Sequence, residues 1–348
     1  MNNSFKYILQ KAITVIVSIL LLHSGTSCSS ENSDEPDMPD APIPQIIVLY
    51  SPGGLGDQGY NDCILSGIQN FKKDYHRDVE IYQYSPGSLE QAERLLSDWL
   101  SLPGSNIPAL LVAASNEYEP LAAKLLATKP LTPNKRFLLF ETENLNKLPV
   151  TTFRLSMYGA SYLAGVTAAA CLEDSNKDAI IVLAHPNDEI IAKAGAGFHD
   201  GFKAAGGSNV DSEYLADDWS GYISAPLAYR RMKQWSEKYG FIFPVAGGSN
   251  QGVYRYTREN NDAPLTVGMD IDQSGLSRNI TGSVIKRIDR VAYNYMETWL
   301  KTGELPESAV YGLESGYVDW LLSPYHSEYQ PLVESARAEA IKKEEAEL

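Results

Sequence analysis

Three stretches of this chain carry residue types at spacings that chemistry uses. Gly54-Leu55-Gly56-Asp57-Gln58-Gly59 fits G-x-G-x-x-G, lies between an apolar run and a helical pattern, and so has the context of a dinucleotide-binding turn. Two features speak against that use: Asp57 would put a negative charge beside a pyrophosphate, and the second apolar run ends in Gln83-Tyr84-Ser85 without the acid that holds a ribose hydroxyl. The loop reads better as a tight glycine turn that lets backbone approach a ligand. Ser283-Val284-Ile285-Lys286 fits S-x-x-K and Lys301-Thr302-Gly303 fits K-T-G, the pairing of penicillin-recognising serine enzymes. Those enzymes keep most of a domain between the two motifs, whereas here fewer than twenty residues intervene and Ser283 falls in an apparent strand. No G-x-S-x-G, H-E-x-x-H or G-x-x-x-x-G-K-[ST] occurs, five histidines are scattered, and no Cys/His spacing suits a metal. The expectation is a binding protein rather than an enzyme, without cofactor or metal.

The elements that must position these residues alternate. Short β-branched or aromatic runs at 46–50, 79–84, 110–113, 137–140, 179–184, 241–245 and 265–269 are separated by amphipathic stretches such as 61–75. That order predicts an α/β chain with parallel sheets covered by helices, and sites in the loops that follow the strands. With 348 residues, two domains are expected. The last helix, 331–348, ends in a charge run (KKEEAEL) that is expected to be solvated and to fray.

Lys and Arg number 29 against 44 Asp and Glu, a formal charge of −15, so nucleic acid is excluded as a partner on electrostatic grounds. Lys6 and Lys11, then an apolar run at 12–22 too short to span a bilayer, then small residues up to Cys28, read as a signal peptide over 1–27. Gly25-Thr26-Ser27-Cys28 resembles a lipobox, which implies lipidation of Cys28 and anchoring to a membrane of the cell envelope, with 28–44 as a lipidated cysteine and acidic tether. The acids after Cys28 also resemble a surface-export signal. Cys63 and Cys171 fall on apolar helical patterns and are expected to be buried thiols.

Several segments in order resemble the basic membrane protein family, the PnrA-like substrate-binding lipoproteins of ABC transporters. They are Gly56-Asp57-Gln58-Gly59-Tyr60-Asn61 (D-x-S-F-N), Tyr162-Leu163-Ala164-Gly165 with Ala168-Ala169 (Y-L-A-G…A-A), Gly197-Phe198 to Gly201-Phe202 (G-F-x-x-G), Ala246 to Val253 (A-G-G-x-x-x-G-V), Gly268 to Gln273 (G-x-D-x-D-Q) and Ser283 to Arg287 (S-x-x-K-R). The resemblance implies a periplasmic-binding-protein type I fold: two doubly wound lobes, here expected as 45–156 plus 273–305 and 157–272 plus 306–348, joined by a three-strand hinge. It also implies a purine nucleoside in the cleft and an ABC permease as partner.

The site the resemblance implies comprises Ser51, Asp57, Tyr60, Asn61, Glu119, Trp219, Gly248, Asp270 and Lys286. Asp270 would accept from the ribose hydroxyls and Lys286 donate to a sugar oxygen; the plainer alternatives are a helix cap and a solvated lysine. Tyr60 and Trp219 would stack on the base, or simply pack in the core. Asn61 would hold a base edge or cap the next helix, and Glu119 would read the purine or complement a helix dipole. The sequence departs from the family pattern at Ser51 and Gly159, where acids are common, and at Gly59 in place of Ser. Two other functions compete with uptake: a sensory or surface lipoprotein without a permease, and an exported nucleoside-processing or NAD-dependent enzyme.

Overall fold

In the computed structural model, which describes residues 42–104, 106–144 and 146–348, the alternation resolves into two six-stranded sheets. The first runs β2 (Glu80–Tyr84), β1 (Gln45–Leu49), β3 (Ala109–Ala113), β4 (Lys135–Phe140), β5 (Thr151–Leu155) and β11 (Ala309–Tyr311), all parallel. The second runs β7 (Val210–Tyr214), β6 (Asp178–Leu183), β8 (Tyr239–Val245), β9 (Leu265–Asp270), β10 (Ile280–Lys286) and β12 (Val318–Leu322), parallel except for β12. Central strands such as β3 and β8 are buried along nearly their whole length because helices cover both faces, which is why they read as unbroken apolar runs. The expected signal peptide, Cys28 and the expected tether up to Ala41 lie outside the described residues. Among the described residues, no helix is long and apolar enough to cross a membrane.

The chain changes lobes three times: after β5, after β10 and after β11. The crossing segments are knit together, Ser156 N donating to Tyr311 O at 2.8 Å and Arg287 N to Tyr317 O at 2.7 Å. Two doubly wound lobes on a thrice-crossed hinge are the periplasmic-binding-protein type I arrangement. The expected partition needs correcting in its second half. β10, expected in the first lobe, pairs with β9 and β12 of the second sheet, and β11, expected in the second lobe, pairs with β5 of the first. The lobe change therefore falls at Arg287 and not at 273. The reason is local: the Asp270–Gln273 break only turns the chain from β9 to β10, and Ser283 Oγ on β10 accepts from Gln273 N at 3.0 Å.

Glycines set the tightest packing. Helix Tyr158–Cys171 crosses helix Glu189–Ala204 backbone against backbone, so that a Cβ on Gly165 would collide with the Phe198 carbonyl and one on Gly201 with the Tyr162 carbonyl. Cys63 is buried and Cys171 half-buried, both free, with burial pushing their thiols up to about 12 and about 11. The terminal helix runs Gln330–Glu345, and its end is not wholly solvated as expected: Glu344 is buried.

Candidate functional site

The carboxyl ends of the strands in both lobes face a shared cavity of about 470 Å³. It gathers Ser51, Asp57, Tyr60, Asn61, Trp219, Gly248, Asp270 and Lys286, which the sequence scatters over more than two hundred positions. Glu119 is the exception. Its buried carboxylate turns away to accept from the Thr142 hydroxyl and from Asn146 N and Nδ2 at 3.1 and 2.9 Å, stapling the loop after β4. Two residues earlier, on the short 3-10 turn Asn116–Tyr118, Glu117 lines the cavity instead.

The glycine loop after β1 is held by its own polar side chains. Gly54 and Gly56 take left-handed backbone (φ 70° and 89°), the conformation that requires glycine. Helix Tyr60–Tyr75 starts without a side-chain cap at Gly59, and Asp57 supplies the acceptors: Oδ1 takes Gly59 N (3.0 Å) and Asp62 N (3.2 Å), Oδ2 takes Asn61 N (2.8 Å). Burial raises the Asp57 carboxyl above its usual range despite these donors. Asn61 accepts from Ser51 N at 3.1 Å and donates to Ser51 Oγ at 2.8 Å and Asp57 Oδ2 at 3.1 Å. Asp57 and Asn61 thus direct these bonds into the loop and shape the wall.

Asp270 is different. It ends β9 with φ 69°, a backbone strain uncommon outside glycine. Its side chain is buried and accepts no hydrogen bond from the described residues. Burial raises its carboxyl to about 6; Lys286 opposes the rise, while Asp57 and Glu141 add to it. Gly59, the departure from Ser, leaves it room: a Cβ there would stand 3.0 Å from Asp270 Oδ2. Glu141, which sequence reasoning missed, is the matching residue of the first lobe. It follows β4 as Asp270 ends β9, it too has left-handed backbone (φ 57°), and it pairs with Lys286 Nζ at 2.5 Å. Burial would lower the Lys286 ammonium, but the Glu141 and Asp270 charges outweigh it and hold it above its usual range. Nζ lies 5.1 Å from the centre of the Tyr60 ring, whose hydroxyl is buried with no partner among the described residues.

The far wall belongs to the second lobe. Trp219 opens a short turn, Trp219–Ile223, capped by Asp218, and Tyr222 on the same turn presents a second ring, its hydroxyl donating to Asp188 Oδ2 at 2.5 Å. Side chains also bridge the lobes: Asn116 Nδ2 to Asp188 Oδ2 at 2.9 Å, His185 Nε2 with Glu117 Oε1 at 3.0 Å, and Gln273 Nε2 to Gln58 O at 2.8 Å. Glu117, His185 and Asp188 bring three donor atoms within 4.8 Å. Asp188 already accepts from Asn116, Tyr222 and the Ile190 amide, so the trio reads as a latch between lobes rather than a metal centre. Glu117, His185, Asp188 and Tyr222 escaped sequence reasoning; the signal open to it was their place in loops after β3, β6 and β7, where such folds put their sites.

The family model described as ABC transporter substrate-binding protein PnrA-like matches residues 44–347. Basic membrane protein C of Borreliella burgdorferi is 22% identical over 293 residues, covering 80% of each chain. Basic membrane protein A of Borreliella afzelii is 25% identical over 334 residues, covering 91% of this chain and 94% of that one. A solved ABC transporter solute-binding protein from Aeropyrum pernix K1 has a TM-score of 0.69 at 17% identity, covering 86% of this chain and 92% of its own. A carbohydrate transporter solute-binding protein from Agrobacterium radiobacter, in complex with D-arabinose, has a TM-score of 0.60 at 17% identity, covering 85% and 99%. The structural likenesses carry the fold, and the family match over nearly the whole described chain carries the assignment: this protein belongs to the basic membrane protein (Bmp) family of PnrA-like ABC transporter substrate-binding proteins.

Proposed function

We propose that this protein is an envelope lipoprotein, anchored through Cys28, that binds a purine nucleoside between its lobes and delivers it unaltered to an ABC permease. The observation that carries the reading is Asp270: a buried carboxylate on strained backbone, with no donor among the described residues, set beside Tyr60 and Lys286 in the cavity. Leaving such a group unpaired is costly, and a ligand that brings donors removes the cost. Vicinal ribose hydroxyls are donors of that kind, and a flat base suits the rings of Tyr60, Trp219 and Tyr222. Five carboxylates (Asp57, Glu117, Glu141, Asp188, Asp270) line the cavity with one lysine, so a phosphorylated ligand would be repelled and an uncharged one accepted. The charge of Lys286 is already engaged by Glu141.

The test is a thermal-shift screen of the form starting after Cys28 against nucleosides, bases, sugars and amino acids, since a ligand that binds only the folded state raises its apparent stability. Stabilisation by inosine, guanosine or adenosine that disappears in Asp270→Ala supports the reading. Stabilisation by sugars or amino acids alone removes the nucleoside and leaves solute binding intact.

A further inference from the structure

Among the charged residues that end the terminal helix, Lys342, Lys343 and Glu345 are exposed and Glu344 is 2% exposed. A carboxylate is buried at a large cost unless hydrogen bonds replace its water, and Glu344 has three. Its Oε1 accepts from Ser156 Oγ at 2.7 Å and Gly159 N at 3.0 Å, and its Oε2 accepts from Leu313 N at 2.6 Å. Ser156 follows β5 and Leu313 follows β11, so these donors stand on two of the three segments that join the lobes. Gly159 lies in the first turn of helix Tyr158–Cys171, which has no side-chain cap of its own, and Glu344 brings it an acceptor and a negative charge from a different helix. The socket exists because two glycines leave it open. A Cβ on Gly159 would stand 2.9 Å from Glu344 Oε2, and one on Gly312 would collide with the same oxygen.

This socket adjoins the ligand cavity. Leu155, just before Ser156, donates its N–H to Glu141 Oε2 at 3.1 Å, and Glu141 holds Lys286; Met157, just after, lines the cavity. We infer that Glu344 is a positioning residue for solute binding: it fixes how the segments after β5 and β11 leave the first lobe, and so sets the balance between open and closed lobes without touching the solute. Removing its carboxylate strands two buried N–H groups and a hydroxyl at the hinge. Apparent affinity then falls by the fraction of molecules that no longer hold the closed form.

The test uses the full chain in detergent, without ligand, and follows hydrogen exchange in the cleft loops 56–62, 115–117 and 247–251, alongside thermal melting. The variants are Glu344→Gln, Glu344→Ala, the exposed control Glu345→Ala, and Glu344→Ala/Gly159→Glu, which supplies a carboxylate at the same socket from the other helix. Expected are cleft-loop exchange about tenfold faster in both single Glu344 variants, no change in the control, and recovery in the double variant. Unchanged cleft exchange, or exchange that rises only in step with global melting, overturns the inference by making Glu344 a packing residue. If neither single variant folds, the double variant decides: wild-type-like exchange supports the inference, and failure to fold overturns it. A parallel titration with inosine expects about tenfold weaker binding in Glu344→Gln. If wild type takes no inosine, the nucleoside reading fails, and the ligand-free exchange still decides this one.

Discussion

At Asp270 the proposed binding role and the stability of the empty protein pull in opposite directions. Its folded pKa, about 6, stands above the usual carboxylate value because burial disfavours the charge, so the folded state holds its proton more tightly than the unfolded chain. By linkage, stability falls as pH rises from about 4 to about 6 and stays lowered above that. Asp270→Asn is therefore expected to stabilise the empty protein at pH 7, by on the order of 3 kcal/mol at most, with the gain fading below about pH 4, as read by melting at several pH values. The same substitution should weaken ligand binding, because an amide accepts fewer hydrogen bonds than a carboxylate. Asp270 was legible in the sequence as an acid at the end of an apolar run, and Tyr60 and Lys286 were legible through the resemblance. Glu141 was not, because Glu141-Thr142-Glu143-Asn144 reads as an ordinary polar loop until Glu141 and Asp270 are seen at the ends of corresponding strands beside Lys286.

At the scale of elements, the motif glycines act mechanically. Gly165 and Gly201 each face a carbonyl of the opposing helix, so Gly165→Ala or Gly201→Ala forces the pair Tyr158–Cys171 and Glu189–Ala204 apart. A loss of about 1–3 kcal/mol or more is expected in denaturant unfolding, as for other overpacked cores. The cap at helix Tyr60–Tyr75 makes a milder prediction: Asp57→Ala should cost about 1–2 kcal/mol and loosen the loop that carries Ser51, Tyr60 and Asn61, seen as faster exchange at the Gly59, Asn61 and Asp62 amides. Strands were legible where burial on both faces comes with a short unbroken apolar run, as in β3 or β8; β5 is buried as deeply, but its Thr and Arg residues break the run. Among the edge strands, β2 was legible as the run at 79–84, but β7 and β11 were not. β7 alternates half-exposed residues, and β11 is only three residues long, so neither has a run for the eye to find.

For the whole molecule, closure is written in side chains that meet only across the cleft. Burial would lower the His185 imidazolium, but its hydrogen bond to Glu117 and the charges of Glu117, Asp188 and Asp218 raise it above its ordinary value. That stabilising contribution is complete below the unfolded pKa of about 6.5 and is lost as pH climbs through the higher folded value. Affinity should then fall on the acid side as Asp270 takes a proton, and on the alkaline side as the latch discharges; His185→Gln should remove only the alkaline limb of a Kd-against-pH profile. No sequence pattern announced the latch, because Glu117 and His185 lie far apart in the chain and in different lobes. The lobe boundary was misplaced for a related reason: a turn between neighbouring strands and a crossing between lobes look alike in one dimension.

On the proposed reading, binding in this cleft comes down to a single uncharged, donor-bearing solute gripped by Asp270. Isothermal titration of inosine or guanosine into wild type and Asp270→Ala reads that grip without an intermediary. One site per chain is expected in wild type, with an affinity lower by on the order of 100-fold in the variant, the worth of one or two hydrogen bonds to a charged group. Equal affinity in the two proteins would overturn the role given to Asp270.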